Sequence, residues 1–327
     1  MKLGHAWVGR IDSPSYAQAG RILEAIEVRR PAIAPAICQS DPPQARWAHR
    51  LAALLSLAAT LLTSCAQPRL AATPAPVVLH LAGSTSMQPL LRDLAAAYSE
   101  RYPYVSFDFA EMGSTAGLEA LRRGNADLAL VSRELAPEEE LDAQSGERPL
   151  AYTVIALDGI AVIVNERNPL RSLGQPELRK VLTAQVTDWA DLGTPAGEIT
   201  VVSREDGSAT RTVFEELVMN GRPVTPMAII MPGSQAVRDY VAAHEGAMGY
   251  VSIGYLGPGV AALAIAGAQP KRETIEDGSY PLTRPFLLVA LPNPSSAVTA
   301  FVQFAQSSAA QAIVQRTYAG ASSSIRR

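Results

Sequence analysis

The sequence predicts an α/β fold, in which strands alternate with helices along the chain. Apolar, β-branched runs such as residues 77–81 (VVLHL) and 199–202 (ITVV) are typical of buried strands. Segments with apolar residues on one helical face follow several of these runs, and short glycine- and serine-rich loops join the two. Because strands separated by helices favour parallel sheets, we expect mainly parallel pairing.

Each predicted element rests on a local signal. Pro89 suits the first turn of a helix after the strand at 77–81, because proline lacks the N–H that is unpaired there. Gly124 is placed to end the second helix, since glycine readily adopts the left-handed conformation of a C′ position. Asp158 and Gly159 fall between two predicted strands, where a turn is one interpretation. The remaining elements are strands over residues 105–109, 128–131, 154–157, 160–164 and 199–202, and helices over 176–182 and around 213–218.

Composition excludes several classes of protein. The 327 residues carry 28 basic and 31 acidic side chains, a net charge of −3, which lacks the basic excess that nucleic-acid binding needs. Two cysteines and four histidines are too few for a disulfide scaffold or a Cys/His zinc site. At roughly 150 residues per domain, the length predicts about two domains.

Residues 1–64 are expected to be a leader outside the fold. Residues 51–62 form an uncharged run of twelve, shorter than the roughly 20 residues that span a membrane and typical of a signal peptide. The run ends in LTSC, which resembles the bacterial lipoprotein signal in which the cysteine, here Cys65, is lipidated. The alternative is a buried apolar helix with a chance cysteine. Residues 65–76 are expected to tether an exported body to the extracytoplasmic face of a bacterial membrane.

Small hydroxyl residues recur where a predicted strand meets a helix. Three such loops are GSTS at 83–86, GST at 113–115 and GSAT at 207–210, and Arg133 and Arg204 stand at two strand ends. Helix N-termini present unpaired N–H groups and a positive dipole end, which suit an anion. Since such loops converge at the carboxyl ends of strands, the sequence predicts a site for a small tetrahedral oxyanion. Ordinary N-capping by serine and threonine is the alternative.

The order of these motifs resembles the phosphate-binding component of phosphate ABC transporters, the PstS-like family. The similarity covers nearly all of residues 77–316 and lies in the motifs as an ordered set. They are AGSTSMQPL at 82–90, GSTAG at 113–117, DLALVSR at 127–133, LDGIAVIVN at 157–165, REDGSATR at 204–211, GAMGYVS at 246–252 and YPLTRP at 280–285.

The resemblance implies a type II periplasmic-binding-protein fold, with two α/β lobes joined by two crossover strands and phosphate in the cleft between them. Residues 77–157 and 253–327 would form lobe I, and residues 158–252 would form lobe II. The implied phosphate ligands are Thr85, Ser86, Ser114, Arg133, Arg204, Ser208, Ala209 and Thr210. Among these, Arg204 is expected to contribute most, because its fork matches two phosphate oxygens.

Two departures from the family pattern affect this site. Ala209 stands where the family usually has glycine, and Arg133 stands where some members place an aspartate that accepts the phosphate proton. Asp206 and Asp158 are candidate replacements for that acceptor, although Asp206 is rather expected to orient Arg204. An acceptor distinguishes the two anions because sulfate has no proton to donate at neutral pH. The expectation that the site prefers phosphate to sulfate therefore rests on the resemblance.

We expect a monomeric phosphate receptor without cofactor or catalytic activity that delivers its ligand to the permease subunits of an ABC transporter. Alternatives are another oxyanion (sulfate, molybdate or tungstate), a phosphate-responsive surface sensor, and a hydrolase that uses Ser84 or Ser114. An enzyme is disfavoured because no Gly-x-Ser-x-Gly elbow or P-loop occurs. His80 is expected to be a core residue, and His244 to be solvated.

Overall fold

The computed structural model describes residues 74–139 and 150–321. The predicted leader, Cys65 and most of the predicted tether lie outside the described residues. Within the described ranges, no helix combines the length and apolar character needed to cross a membrane.

Twelve strands are described. They are β1 (Val77–Gly83), β2 (Val105–Glu111), β3 (Leu128–Val131), β4 (Ala151–Asn165), β5 (Ser172–Leu173), β6 (Thr200–Arg204), β7 (Ile229–Met231), β8 (Ala247–Ser252), β9 (Val260–Ala262), β10 (Ala264–Ile265), β11 (Thr283–Ala290) and β12 (Ala319–Gly320).

The helices in the described ranges follow the expected alternation. The α-helices are α1 (Gln88–Arg101), α2 (Ser114–Arg122), α3 (Gln175–Leu182), α4 (Ala209–Met219), α5 (Ser234–Ala243), α6 (Arg272–Glu276), α7 (Ser296–Gln306) and α8 (Ser308–Val314). Short 3-10 turns cover Thr85–Met87, Trp189–Leu192 and Ile253–Tyr255. Gly124 has a φ of 75° just after α2, which confirms its predicted role at the end of that helix.

The long strand β4 joins two half-sheets. Its first part pairs with β11 as far as Gly159, and its second part pairs with β8 from Ile160 onwards. The strand order is β2-β1-β3-β11-β4 in the first half-sheet and β4-β8-β6-β7 in the second. The predicted α/β class with two halves is confirmed, whereas the lobe limits after residues 157 and 252 stay a prediction.

Mainly parallel pairing was the wrong expectation, because the sheet is mixed. β1 runs parallel to β2 and β3, and β6 runs parallel to β7 and β8. β11 and β4, however, are antiparallel to their neighbours, since the chain crosses between the halves and returns. Asp158 and Gly159 do not form a turn but lie within β4. A carboxylate is tolerated in this fully buried strand because Arg284 and Ser252 bind it.

The expectation that His80 is a core residue is also wrong. Alternate residues of β1 face opposite sides of the sheet, and Val78 and His80 lie on a side that is open to solvent. The His80 side chain is 54% exposed and its Nδ1 lies 3.2 Å from an Asp108 carboxylate oxygen on β2. Leu79 and Leu81, on the other side, are buried.

Close backbone packing fixes the loop that follows β1. Gly83 has a φ of 137°, and a Cβ there would lie 2.3 Å from the Leu130 carbonyl oxygen of β3. Gly117 of α2 packs on the same point, because its own Cβ would lie 2.5 Å from the Gly83 Cα. These two glycines bring the start of α2 against the 3-10 turn at Thr85–Met87. Two of the predicted anion loops are therefore held side by side.

Candidate anion-binding site

Three helical segments begin where a strand ends and direct their N-termini to one place. The 3-10 turn at Thr85–Met87 follows β1, α2 follows β2, and α4 follows β6. The N-cap residue of α2 is Gly113, and that of α5 is Gly233, so neither helix has a side-chain cap. At the start of α5, the Ser234 N–H donates to Thr85 Oγ1 at 3.3 Å, so this helix N-terminus meets the loop that follows β1. Helix N-termini of this kind are common at anion sites.

Buried hydroxyl groups form a cluster at these N-termini. The Ser86 and Thr210 hydroxyls lie 2.6 Å apart, although Ser86 follows β1 in the first half-sheet and Thr210 follows β6 in the second. The Ser84 and Ser132 hydroxyls lie 2.7 Å apart, and the Ser132 backbone N–H donates to Ser114 Oγ at 3.2 Å. We call this set the hydroxyl cluster. Its members are Ser84, Thr85, Ser86, Ser114, Ser132, Thr210 and Ser234, all of them buried.

Arg204 enters the hydroxyl cluster from the end of β6. Only 1% of the residue is exposed, which is exceptional for a charged side chain without a ligand or partner. Its Nη1 donates to Ser234 Oγ at 3.1 Å, and its Nη2 donates to Thr85 Oγ1 at 3.2 Å. The guanidinium thus presents its terminal edge to the cluster, as the sequence analysis expected of its main cation.

The carboxylate that holds Arg204 is Glu205. Its two oxygens accept from Arg204 Nε at 2.8 Å and from Nη2 at 2.7 Å. Asp206 instead turns outward, with a side chain that is 98% exposed and a contact of 2.8 Å to Arg211 Nη1. Glu205, and not Asp206, therefore makes the contact with Arg204 that was predicted for Asp206.

A second buried guanidinium, that of Arg284, meets the cluster from β11. Its Nη1 donates to Thr210 Oγ1 at 2.9 Å and to Ser132 Oγ at 3.2 Å. Its Nη2 lies 2.9 Å from a carboxylate oxygen of Asp158, but this contact lacks hydrogen-bond geometry, and the buried atom has no other hydrogen-bond partner among the described residues. Since buried donors are normally satisfied, the Nη2 N–H that does not face Asp158 suits an anion in the cluster.

Asp158 neutralises Arg284 within β4 and β11. Arg284 Nε donates to Asp158 Oδ2 at 3.0 Å, and Nη2 lies 2.9 Å from the same oxygen. Ser252 Oγ donates to the other oxygen at 2.7 Å. Burial raises the pKa of the Asp158 carboxyl, while the charge of Arg284 acts in the opposite direction. The pair joins β4, β11 and the end of β8, where the chain crosses between the half-sheets.

This architecture has known relatives. Residues 70–309 match the family model described as a PBP superfamily domain. The chain belongs to the PBP superfamily. A Clostridium perfringens protein solved with bound phosphate, and described as a phosphate ABC transporter substrate-binding protein, is 32% identical. That similarity covers 75% of this chain and 100% of the other, with a TM-score of 0.70.

Further relatives place this PBP superfamily chain in the PstS-like family. The Bacillus subtilis phosphate-binding protein PstS is 29% identical over 205 residues, which are 62% of this chain and 67% of the relative. A solved ABC-type phosphate transport receptor from Vibrio cholerae is 30% identical, covering 74% of this chain and 100% of the other, with a TM-score of 0.60.

The loop before α4 is one of the two places where this PstS-like chain departs from the family pattern. Ala209 is the first residue of α4, and its φ is not positive, so this backbone accepts a Cβ where the family usually has glycine. Ser208 acts as the N-cap of α4, with its Oγ accepting from the Arg211 N–H at 3.4 Å. Its predicted ligand role therefore competes with ordinary capping.

Arg133 does not join the hydroxyl cluster in this PstS-like chain. Its Nη1 and Nη2 donate to the two carboxylate oxygens of Glu139 at 2.7 and 2.9 Å. The Glu139 hydrogen bond raises the pKa of Arg133 against the effect of burial. Burial would raise the pKa of Glu139, but hydrogen bonds from Arg133 and the Ala136 N–H lower it. These contacts do not test the ligand role predicted for Arg133, but they show that Glu139 already occupies both terminal nitrogens of its guanidinium.

We predict that Arg133→Leu leaves phosphate affinity within about threefold, because the Arg133 guanidinium pairs with Glu139 and not with the cluster. Truncating either Arg133 or Glu139 leaves the other without its hydrogen-bond partner, which lowers the free energy of unfolding by about 1–3 kcal/mol. Since the folded-state pKa of Glu139 is lowered, the ionised carboxylate stabilises the folded protein at pH values above the unfolded-state pKa. This stabilisation is lost as the pH falls through the folded-state pKa. The difference in the free energy of unfolding between Glu139→Gln and the wild type should therefore become smaller at acidic pH. Phosphate titration and urea unfolding across pH measure both effects, and a tenfold loss of affinity in Arg133→Leu would return Arg133 to the ligand set.

The sequence analysis missed three members of the site. Ser132, Ser234 and Arg284 received no role, although each lies in the cluster or donates to it. A signal existed for Arg284, because a charged residue at the start of the apolar stretch PFLLVA needs a buried partner. Ser234 follows Gly233 at the start of α5, so a fourth strand–loop–helix junction could have been considered.

Proposed function

We propose that this chain binds inorganic phosphate between its two half-sheets and delivers it to the permease of an ABC transporter. The observation that carries the proposal is the buried hydroxyl cluster, which two buried guanidinium groups flank from opposite half-sheets. Hydroxyl, guanidinium and backbone N–H donors around one point match an anion with oxygen on all sides. The relatives named as phosphate-binding proteins support the choice of phosphate.

Phosphate would bind through Thr85, Ser86, Ser114, Arg204 and Thr210 among the residues expected from the sequence, with Ser132, Ser234 and Arg284 added. The two guanidinium charges are matched by the carboxylates of Glu205 and Asp158. The buried site is therefore close to neutral before an anion enters. An anion would replace direct contacts between the donors, such as the one between the Ser86 and Thr210 hydroxyls at 2.6 Å.

Hinge motion at the crossovers would open this site. The contacts Ser86–Thr210 and Thr85–Arg204 join the two half-sheets, so separating the halves breaks both. Tyr255, just after β8, donates from its hydroxyl to the Thr85 carbonyl at 2.6 Å and links a crossover to an anion loop. Closure around phosphate would thus report occupancy to the outer surfaces that a permease contacts.

The rest of the proposal follows the sequence expectations. Residues 77–157 with 253–327, and residues 158–252, form the two lobes of a monomer. The chain is exported by a signal peptide and anchored through lipidated Cys65 at the extracytoplasmic face of a bacterial membrane. It carries no cofactor and catalyses no reaction, in keeping with a family of substrate-binding proteins.

Calorimetric titration tests the proposal. The full chain is unfolded in denaturant, freed of anions and refolded, because a buried ligand can survive purification. Phosphate is expected to bind with a stoichiometry of one and a Kd in the micromolar range or tighter. This corresponds to a binding free energy of about −8 kcal/mol or a more negative value. If titration with phosphate releases or absorbs no heat of binding, and phosphate leaves the melting temperature unchanged, the assignment is contradicted.

A further inference from the structure

A binding site tells phosphate from sulfate when it offers an acceptor for the proton that only phosphate carries at neutral pH. A carboxylate in that position repels a fully deprotonated anion and remains unpaired. Losing such a buried hydrogen bond discriminates by about 10⁴–10⁵ in known sites. Among the described residues, Glu205 and Asp158 are the carboxylates that contact the two guanidinium groups of the site.

Asp158 has no acceptor position left for a ligand. One oxygen accepts from Ser252 Oγ, and the other faces Arg284 Nε and Nη2 at 3.0 and 2.9 Å. The Ile253 backbone N–H also hydrogen bonds to this carboxylate. The donors to this carboxylate are therefore Arg284, Ser252 and Ile253, and together they occupy both of its oxygens.

Glu205 is engaged along one edge of Arg204. Its two oxygens face Nε and Nη2, whereas the terminal Nη1–Nη2 edge faces Ser234 and Thr85. The edge of Arg204 that meets the hydroxyl cluster therefore differs from the Nε–Nη2 edge that Glu205 occupies. The Glu205 side chain is 29% exposed.

The groups that do face the cluster are hydroxyls, and a hydroxyl both donates and accepts. Pairs such as Ser86–Thr210 at 2.6 Å and Ser84–Ser132 at 2.7 Å already contain one hydroxyl that accepts from another. Rotation about the C–O bond turns the same group towards a bare oxygen as a donor, or towards a P–OH as an acceptor. Protonated and deprotonated oxygens thus fit the same positions.

We propose that this site recognises tetrahedral oxyanions by shape and charge and does not read their protonation state, so that sulfate is a second ligand at the same residues. The inference rests on the proposed function, because it concerns the phosphate site itself. Arg133, which stands where some family members place an aspartate, is consistent with it, since that residue supplies no acceptor and pairs with Glu139.

Competition calorimetry on the full refolded chain tests the inference. At about pH 8, phosphate and sulfate are both dianions of similar size, so the remaining difference is the phosphate proton. We expect the sulfate Kd to lie within about a thousandfold of the phosphate Kd, well below the 10⁴–10⁵ of a site with a carboxylate acceptor. A larger ratio would overturn the inference and leave the proposed function intact. Absence of binding by both anions would overturn both. Binding of sulfate alone would also overturn both, because the site would then reject the protonated oxygen of phosphate.

Substitution at Ser132 adds a second measurement. Its hydroxyl lies 3.2 Å from Arg284 Nη1, so Ser132→Asp places a carboxylate inside the cluster, and Ser132→Asn is the control of similar size without charge. Ser132→Asp is expected to lose sulfate by at least tenfold more than it loses phosphate, while Ser132→Asn weakens both anions by similar factors. If Ser132→Asp loses affinity for sulfate and for phosphate by equal factors, as the Ser132→Asn control does, the inference that the missing carboxylate allows sulfate to bind is overturned. If Ser132→Asp does not fold, the wild-type ratio decides the matter.

Discussion

Arg204→Ala is expected to weaken phosphate binding at least tenfold. The substitution removes charge-assisted donors to a desolvated anion, each worth about 1.5–3 kcal/mol, and about 1.4 kcal/mol corresponds to a factor of ten in Kd. It also leaves the Glu205 carboxylate without its partner beside the site, where its charge repels an anion. Calorimetric titration with phosphate measures the loss directly.

Two variants separate these contributions. Arg204→Gln with Glu205→Gln removes the pair together, so a smaller loss than in Arg204→Ala would assign the difference to the stranded Glu205 charge. Arg167→Ala is the matched control, since this arginine pairs with Glu245 at the surface with a side chain that is 76% exposed. Affinity in Arg204→Ala equal to that in the Arg167→Ala control would mean that the anion does not bind at this cluster.

Local sequence signals predicted the parts of the site that lie at strand–helix junctions. Glycine followed by small hydroxyl residues marked Thr85, Ser114 and Thr210, because a short loop between a strand and a helix leaves little conformational choice. The same reasoning placed Arg204 at the end of a strand whose next helix begins five residues later. Such features depend on neighbours within a few residues, which a single sequence contains.

Long-range partners were not predictable in this way. Arg284 meets Thr210 across 74 residues of sequence and Asp158 across 126, and nothing in either local pattern encodes the other. The interpretation of Asp158 as a turn residue rests on its place before Gly159, between two predicted strands. The tertiary pairing with Arg284 and the hydrogen bond from Ser252 make the buried position tolerable.

The difference between Glu205 and Asp206 shows a second limit. Both carboxylates follow Arg204 directly, so composition cannot choose between them. The backbone turns at Gly207, with a φ of 82°, and in this loop Glu205 contacts Arg204 whereas Asp206 is exposed. Side-chain direction within a tight loop depends on dihedral angles that residue type alone does not fix.

Asp158→Asn is expected to lower the free energy of unfolding by about 3–5 kcal/mol, because it leaves the fully buried Arg284 charge without a counter-charge. Asp206→Asn is the matched control: that carboxylate is exposed, so its loss should change stability by no more than about 0.5 kcal/mol. Urea unfolding without phosphate measures both. An Asp158→Asn variant as stable as the control would mean that Arg284 is neutralised by another group.

Phosphate should restore part of this loss, which connects the stability of the hinge to occupancy of the site. A bound anion supplies negative charge near Arg284, so the stabilisation by saturating phosphate should be larger in Asp158→Asn than in the wild type. Replacing the pair together, as Asp158→Asn with Arg284→Met, removes the buried charge and should recover stability while affinity falls. If phosphate stabilises the single variant no more than the wild type, Arg284 does not reach the anion, and its hydrogen bonds to Thr210 and Ser132 serve only to join the two half-sheets.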